Sequence, residues 1–330
     1  MIRNAKIVAS GMYVPEKVLP NSYFNKLLGE DVDTWLRENL TIKERRWCNE
    51  NQSTADLCVE AAKIILDNAK TKAENLDLII IATDTPEYIS PSTASVVQYR
   101  LNAIKAGTFD VNTACAGFVT ALDIASKYIR SDKKYNKILV IGAYAMSKYL
   151  NLNDKKTVTL FADGAAGVLL ESTVEKENGF LTSSLYTEGQ YADWMGIYAG
   201  GTHKPIDEKV LEEKDHLLKF VKKFPKETNP ITWTRMIKKA CEELKIKPDD
   251  IAHYFITQIN INSIWETLDN LGVDRSKGHT IMEYYGYTGS ACIPMAFDNV
   301  NKKGLIKKDE LVLFIGSGGG LAFALSIFKM

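Results

Sequence analysis

Short, uninterrupted apolar runs constrain the fold of this chain more than any other feature of the sequence. Residues 78–82 read LIIIA, and residues 137–142 read KILVIG. Such a run is typical of a strand that is buried on both faces, because a half-exposed strand alternates apolar and polar side chains. Near these runs the apolar residues recur at helical spacing. One such stretch begins at the N-cap signal of Ser53 and continues to about Lys70. This combination predicts an α/β protein.

The second part of the chain repeats this pattern. It predicts a helix at 231–244, a strand at 251–256, a helix at 261–271 and a strand at 310–315. The helix, connector and strand within this series echo those of residues 55–82. We therefore predict two similar α/β halves, formed by residues 1–172 and residues 173–330.

Two other stretches lack a clear helical or strand pattern. Residues 162–167 read ADGAAG, and this concentration of small residues predicts a turn ahead of a strand at 168–170. Residues 175–230 are polar, rich in lysine and poorly periodic. We interpret them as a linker plus an insertion over one face of the protein, and we assign no individual elements to them.

The composition excludes several classes of function. The 330 residues include 41 Lys and Arg and 41 Asp and Glu, so the formal net charge is zero, which argues against a nucleic-acid-binding or polybasic membrane-surface protein. The N-terminus lacks the apolar core of a signal peptide, and no apolar run reaches the ~18 residues of a transmembrane helix. The five cysteines are scattered and form no C-x-x-C pair. They indicate a reduced, cytoplasmic setting rather than disulfides or a metal site.

Cys115 is the strongest candidate for a reactive residue. It lies in residues 110–118, DVNTACAGF, at a predicted turn just before a helical apolar pattern. The N-terminus of a helix favours a thiolate over a thiol, so we expect an anionic nucleophile there. Small neighbours, Ala114, Ala116 and Gly117, would let a substrate approach closely. The alternative is a buried structural cysteine that packs as a small hydrophobic residue.

Four more segments accompany this motif in a fixed order. They are 161–165 (FADGA), 257–260 (TQIN), 286–291 (GYTGSA) and 316–318 (GSG). With these motifs the chain resembles, essentially end to end, the β-ketoacyl-ACP synthase III branch of the thiolase-fold condensing enzymes. The resemblance implies a five-layered αβαβα fold of two pseudo-repeated halves, a homodimer, and no tightly bound cofactor. It also implies acyl transfer to Cys115 from the thioester of acyl-CoA or of an acyl carrier protein (ACP).

The chain departs from this family at the catalytic triad, which is normally Cys-His-Asn. Thr257 stands where the histidine is expected, and Tyr287 stands where the asparagine is expected. Both hydroxyl groups are hydrogen-bond donors and could form a substitute oxyanion site, but neither is a base near neutral pH without a large pKa shift. Loss of one oxyanion donor costs about 3–4 kcal/mol, so decarboxylative condensation should be impaired unless another group compensates.

Two further catalytic candidates follow from the resemblance. The backbone N–H groups of Cys115 and Ser317 match the family's oxyanion hole, and glycines on both sides of Ser317 would let the main chain reach the thioester. Asp84 aligns with a glutamate that acts as a general acid/base in related enzymes that make a hydroxymethylglutaryl thioester. Asp84 is therefore a candidate replacement base. The alternative is an ordinary loop acid or helix cap.

The resemblance also supplies candidate binding residues. Trp35 matches a tryptophan that stacks on the adenine of CoA, Lys155 an arginine on the same face, and Asn260 an asparagine that contacts pantetheine. Asn39 replaces another arginine, which favours a carrier-protein donor. Ser90 matches a residue that reaches across the dimer to close the partner's acyl pocket. It is much smaller than the usual phenylalanine, which suggests a different or longer acyl group.

The leading hypothesis is therefore an acyltransferase of the synthase III type. It would load an acyl group on Cys115 and condense it with a malonyl-type or other carbon nucleophile, in fatty-acid or specialised lipid or polyketide synthesis. A second hypothesis keeps the thioester chemistry but transfers the acyl group to an oxygen or nitrogen nucleophile, or to water. A third is a non-catalytic subunit that partners an active condensing enzyme.

Overall fold

A computed structural model describes residues 3–175 and 178–330 of the chain. Its strands, numbered in chain order, are β1 Asn4–Tyr13, β2 Val18–Pro20, β3 Glu44–Arg46, β4 Leu78–Ala82, β5 Gly107–Val111, β6 Lys137–Ala145, β7 Asp163–Thr173, β8 Gly179–Thr187, β9 Met195–Gly196, β10 Lys219–Phe220, β11 Ile251–Ile256, β12 Leu311–Gly318 and β13 Ala322–Lys329. Its α-helices are α1 Asn21–Leu28, α2 Asp33–Leu40, α3 Thr54–Asn68, α4 Thr93–Arg100, α5 Gly117–Ser131, α6 Lys155–Val158, α7 Glu208–Glu212, α8 Thr228–Leu244, α9 Ile261–Leu271, α10 Met282–Tyr285 and α11 Cys292–Lys302.

The first sheet has five strands in the order β1-β7-β6-β4-β5. Strand β4 runs parallel to both of its neighbours, β5 and β6, while β7 and β1 complete the sheet in antiparallel fashion. All five residues of β4 are buried, as its continuous apolar sequence predicts. Strand β5 forms one edge of the sheet, and its carboxyl end leads directly into the segment that holds Cys115.

The second sheet has the order β11-β12-β13-β8, with β11 parallel to β12 and the other pairs antiparallel. Strand β11 and helix α9 have the bounds that the sequence predicts. The named strands of the first sheet lie within residues 4–173 and those of the second within residues 179–329. The division into halves near residue 172 stays a prediction.

Helices separate and cover the two sheets. Helices α3 and α4 pack on the outer face of the first sheet, and α8 and α9 pack on the outer face of the second. Helices α5 and α11 lie between the sheets and contact strands of both. The resulting order of layers is αβαβα, so the predicted thiolase-like architecture is confirmed.

The two central helices begin at short turns that meet in the middle of the molecule. The turn Ala114–Ala116 precedes α5, and the turn Gly289–Ala291 precedes α11. Strand β6 passes very close to the second turn, because a Cβ atom on Gly142 would lie 2.2 Å from the carbonyl oxygen of Ser290. Only glycine allows this approach, which brings the N-termini of both helices beside the first sheet.

The prediction of a turn at residues 162–167 is wrong. Strand β7 runs from Asp163 to Thr173 and is buried over most of its length. Small residues are needed there for close packing rather than for chain reversal. A Cβ atom on Gly167 would lie 2.1 Å from the carbonyl oxygen of Val140 on the neighbouring strand.

Residues 175–230 are more ordered than the prediction of a linker plus an insertion implies, within the part of them that the structure describes. Strand β8 belongs to the second sheet, where it pairs with β13. Beyond it, β9 and β10 form a two-stranded sheet, and the rings of Tyr191, Trp194 and Phe224 pack against one another. Strand pairing over a long sequence separation, which local periodicity does not report, explains the error.

Candidate active site

Cys115 lies in the turn between β5 and α5, as the sequence predicts. The backbone of Ala114 has a φ of 47°, and its N–H donates to the side-chain oxygen of Asn112 at 3.0 Å. Helix α5 starts tightly against the end of β4, because a Cβ atom on Gly117 would be 3.1 Å from that of Ala82. The turn is therefore held at the carboxyl ends of two neighbouring parallel strands, where α/β proteins commonly bind ligands.

The end of β12 touches the same turn through two glycines. A Cβ atom on Gly318 would lie 2.6 Å from the backbone nitrogen of Cys115, and one on Gly316 would lie 2.9 Å from the Cα atom of Ala116. Ser317 sits between these glycines and, together with Cys115, lines a cavity. The main chain on both sides of Ser317 is thus packed against the turn that holds Cys115.

Thr257 is completely buried at the end of β11 and does not line the cavity as a wall residue. Its hydroxyl oxygen accepts a hydrogen bond from the backbone N–H of Ser317 at 3.0 Å. The sequence reasoning expected both groups to face the substrate carbonyl, and it missed this bond between them. In this arrangement Thr257 holds the end of β12, and the Ser317 N–H already has an acceptor.

Tyr287 is also buried, but it faces the cavity and the sulfur. Its backbone is fastened to residues 160–162, since its N–H donates to Leu160 and its carbonyl accepts from Ala162. Within the described residues its hydroxyl makes no hydrogen bond of ordinary geometry. Even so, it lies close enough to Cys115 to donate toward a thiolate and to oppose part of the rise in the thiol's pKa.

Asp84 follows the end of β4, close enough to Cys115 for its charge to act on the sulfur. Solvent reaches part of the residue, but its Oδ1 atom is buried and has no hydrogen-bond partner within the described residues. Burial raises the pKa of this carboxyl to about 6. Its negative charge in turn raises the pKa values of Cys115, Tyr144 and Tyr149.

The expectation of an anionic Cys115 is wrong for the protein without substrate. Burial, and then the charge of Asp84, raise the pKa of Cys115 well above its ordinary value. The side chain is 2% exposed, so the loss of hydration outweighs what the helix N-terminus and the Tyr287 hydroxyl contribute. Burial therefore favours the neutral thiol over the thiolate in the protein without substrate.

The cavity that Cys115 lines has a volume of about 690 Å³ and opens to the surface. Cys115, Tyr287 and Ser317 line its inner part, while Trp35 and Asn260 also line it, and Trp35 is more than half exposed. The side chain of Asn260 caps α9 by accepting the N–H of Asn262 at 3.0 Å. These sequence-predicted residues, and Asn39, therefore share one cavity.

The structure separates two other predicted binding residues from this cavity. Lys155 does not line it and forms an ion pair with Glu30 at 2.9 Å, whereas the adjacent Lys156 does line it. Ser90 is exposed on the loop after β4. A binding role for either residue stays a prediction.

Sequence reasoning missed several residues of the cavity wall that come from the region 175–230. Met195 and Phe220 contribute apolar surface from the β9–β10 pair, and Lys222, Lys223 and Lys226 follow them. The lysine-rich sequence KFVKKFPK was visible, but it carried no signal that it folds over Cys115. Within residues 3–175 and 178–330, no group of three or more His, Cys, Asp or Glu side chains is arranged to hold a metal ion.

Comparison with known proteins agrees with this geometry. The family model for 3-oxoacyl-(acyl-carrier-protein) synthase III matches residues 109–189, and its C-terminal counterpart matches residues 241–330. A β-ketoacyl-(acyl-carrier-protein) synthase III of Caldanaerobacter subterraneus is 35% identical over 329 residues, which cover 98% of this chain and 97% of the relative. The synthase III of Clostridioides difficile is 34% identical over 333 residues, covering 100% and 99% of the two chains.

A solved structure supports the same assignment. The 3-oxoacyl-(acyl-carrier-protein) synthase III of Aquifex aeolicus superposes with a TM-score of 0.88 at 30% identity, covering 99% of this chain and 100% of that one. None of the helices within the described residues combines the length and the apolar character that a membrane span requires. The chain belongs to the β-ketoacyl-(acyl-carrier-protein) synthase III family and is a condensing acyltransferase.

Proposed function

We propose that this enzyme loads an acyl group from a pantetheine thioester onto Cys115 and then condenses it with a malonyl-type carbon nucleophile. The observation that carries the proposal is the shared cavity, in which Cys115, Tyr287 and Ser317 lie at the inner end and Trp35 and Asn260 also form the wall. Fatty-acid initiation and specialised lipid or polyketide synthesis both use this chemistry.

In the loading step the sulfur of Cys115 attacks the thioester carbonyl, and negative charge develops on the carbonyl oxygen. Donors aimed at this oxygen lower the barrier. The hydroxyl of Tyr287 is the donor that we favour, because it lies beside the sulfur and makes no ordinary hydrogen bond within the described residues. We assign Thr257 to positioning, since its oxygen accepts the N–H of Ser317. The backbone N–H of Cys115 is the remaining donor of the proposed oxyanion hole.

Both acyl-CoA and an acyl carrier protein can deliver a pantetheine thioester. Trp35 offers an exposed ring on which an adenine could stack, and Asn260 offers an amide to the pantetheine arm. We propose that Lys155 contacts the negatively charged acyl-CoA or acyl carrier protein. The adjacent Lys156 lines the cavity. The reaction that we propose needs no tightly bound cofactor.

We further propose that the enzyme is a homodimer. Strand β5 is an edge strand of the first sheet, and an open strand edge favours pairing with another chain. Four large apolar side chains in the segment between β4 and β5 are exposed; they are Tyr88, Ile89, Tyr99 and Ile104. An apolar surface next to an open strand fits a second copy of this chain, and Ser90 would lie within that contact.

Sedimentation analysis tests the dimer. The wild-type protein should sediment as a dimer at micromolar concentration, and the double substitution Ile89→Glu and Tyr99→Glu should yield monomers. Leu305→Glu, at an exposed leucine between α11 and β12, is the matched control and should remain dimeric. A wild-type protein that stays monomeric would contradict the proposal.

All five cysteines are buried free thiols, which supports the cytoplasmic location that we propose. The same fact allows a clean test of loading by intact mass. Wild-type enzyme incubated with acetyl-CoA, longer acyl-CoA species or acyl carrier protein should gain the mass of the acyl group, and Cys115→Ala should not. Cys241→Ala, at a buried cysteine on α8, is the control that should still be acylated.

Addition of a malonyl thioester to the loaded enzyme then tests condensation. Release of carbon dioxide together with a β-ketoacyl thioester supports the proposal. Loading that is followed only by hydrolysis, or by transfer to an oxygen or nitrogen nucleophile, contradicts the condensation step while leaving Cys115 as the nucleophile.

A further inference from the structure

Asp84 is an acidic residue that follows β4 and whose charge acts on the nucleophile. Strands β4 and β5 are parallel neighbours, with Ala82 opposite Val111, so the residues that follow each strand emerge side by side. Asp84 and Cys115 lie on these two emerging segments. The buried Oδ1 atom of Asp84 receives no hydrogen bond within the described residues.

A buried carboxylate oxygen without a donor is costly, and buried acids normally accept several hydrogen bonds. Asp163 provides the contrast within the same protein. It is also buried, but it accepts hydrogen bonds from the backbone N–H groups of Cys48 at 2.7 Å and Ser147 at 2.8 Å. Asp84 is thus left available for a proton or for a donor that arrives with the substrate.

The other titratable groups around this pair are weaker bases or are protonated near neutral pH. Asp84, Tyr287 and Cys292 act on the pKa of Cys115, and Asp84 also acts on the pKa values of Tyr144 and Tyr149. Burial raises the pKa values of the tyrosines and of both thiols. No histidine is among them, so Asp84 is the only group of the set that titrates between about pH 5 and about pH 7.

The protonation state of the Cys115 sulfur explains why the loading reaction needs a proton acceptor. Because burial favours the neutral thiol of Cys115 in the protein without substrate, the thiol proton must leave as the sulfur bonds to the thioester carbon. The leaving pantetheine sulfur needs a proton at the end of the same step. One group that first accepts and then donates a proton satisfies both requirements.

We propose that Asp84 accepts the thiol proton of Cys115, directly or through one water molecule, as the sulfur attacks the thioester. A sulfur–carbon bond forms and a tetrahedral intermediate carries the negative charge on oxygen. When this intermediate collapses, the bond to the pantetheine sulfur breaks and Asp84 returns the proton to that sulfur. Asp84 ends as a carboxylate and Cys115 as an acyl thioester, so protons and electrons balance. The proposal rests on the loading reaction proposed above.

A purely electrostatic or structural role for Asp84 predicts the opposite result. Its negative charge raises the pKa of Cys115, so its removal alone would make the thiolate easier to form and would speed loading. A proton-transfer role predicts that removal slows loading. The sign of the change therefore separates the two roles.

Single-turnover loading from acetyl-CoA, followed by intact mass between about pH 5 and about pH 9, is the test. In wild-type enzyme the rate should rise about tenfold from pH 5 to pH 7, as the carboxylate forms with a pKa of about 6, and then level off. Asp84→Asn should load about 100-fold to 10,000-fold more slowly, and its rate should keep rising with pH without a plateau. Asp84→Glu should recover part of the rate, since it restores the carboxylate.

Asp77→Asn is the matched control, because Asp77 precedes the opposite end of β4 and binds the backbone N–H groups of Asn136 and Lys137. It should keep the wild-type rate and pH profile. Loading by Asp84→Asn at the wild-type rate or faster, with the profile unchanged, would overturn the proposal and leave Cys115 as the nucleophile. A wild-type enzyme that loads no thioester would overturn the proposed function together with it.

Discussion

Replacing Tyr287 by phenylalanine should separate catalysis from stability in this protein. The substitution removes a hydroxyl that faces the Cys115 sulfur and makes no ordinary hydrogen bond within the described residues, while the ring keeps its packing 5.4 Å from that of Phe161. If the hydroxyl donates to the forming oxyanion, kcat/KM for acyl transfer should fall about 100-fold to 1,000-fold, which corresponds to about 3–4 kcal/mol.

The free energy of unfolding of Tyr287→Phe should stay unchanged or increase. A buried hydroxyl without a partner carries a desolvation cost, so its removal should stabilise the fold by about 1 kcal/mol, or about 2 °C in Tm for a chain of this size. The combination of a large loss of activity with no loss of stability is the result that a structural role cannot produce.

Tyr254→Phe provides the comparison for this experiment. Tyr254 is equally buried, but its hydroxyl donates to the carbonyl of Pro248 at 2.6 Å, away from the cavity. Its loss should cost about 1 kcal/mol of stability and leave the loading rate unchanged. Intact-mass loading rates and thermal unfolding curves measure both quantities for both variants. Wild-type activity in Tyr287→Phe, or destabilisation similar to that of Tyr254→Phe, would refute the reasoning.

Three other predictions follow from specific contacts. Gly318→Ala should abolish loading, because its Cβ atom would lie 2.6 Å from the Cys115 nitrogen, whereas Gly189→Ala, with no neighbouring atom within 4 Å, should load normally; intact mass decides. Trp35→Ala should raise KM for acyl-CoA about tenfold by loss of stacking and leave KM for an acyl carrier protein unchanged in steady-state assays, and equal effects on both donors would contradict adenine stacking. Because the folded-state pKa of Asp84 is raised from 3.8 to about 6, its contribution to stability is present below about pH 4 and is lost as the pH rises through 6, by at most about 3 kcal/mol. Asp84→Asn should therefore raise Tm relative to wild type at about pH 7 but not at about pH 4, and a gain of equal size at both pH values would contradict this linkage.

Helices and strands whose secondary structure is determined by their own residues could be predicted from the sequence. The continuous apolar run of β4 and the helical periodicity of α9 identify these elements without reference to the rest of the chain. The turn before α5 is equally local, since a loop of small residues there precedes an amphipathic helix. The position of Cys115 at that turn was predictable for this reason.

Properties that depend on distant residues could not be predicted in this way. Strand β7 looked like a turn because its small residues fit against β6, which is a tertiary contact. The same holds for the pKa of Cys115, which reflects burial and the charge of Asp84 rather than the helix N-terminus beside it. The bond from the Ser317 N–H to Thr257 joins two segments that meet only in the folded second sheet.

The lack of an imidazole limits how negative charge can be held at this site. Among Asp84, Tyr287 and Cys292, the groups that act on the sulfur of Cys115, none can become positively charged. A thiolate formed in advance would have only a hydroxyl and backbone dipoles to stabilise it, and burial outweighs them.

Charge should therefore appear on the sulfur only while it is bonding to a carbonyl carbon, with a hydroxyl and a proton acceptor beside it. A small alkylating agent such as iodoacetamide, which needs a free thiolate, should then react slowly at about pH 7 and faster as the pH rises toward 9. Loading from a thioester at about pH 7 should be fast by comparison. Intact-mass time courses with both reagents measure this difference directly. Rapid alkylation at about pH 6 would instead require a thiolate that exists before substrate binds. Proton transfer from Cys115 to Asp84 would then not be needed for loading.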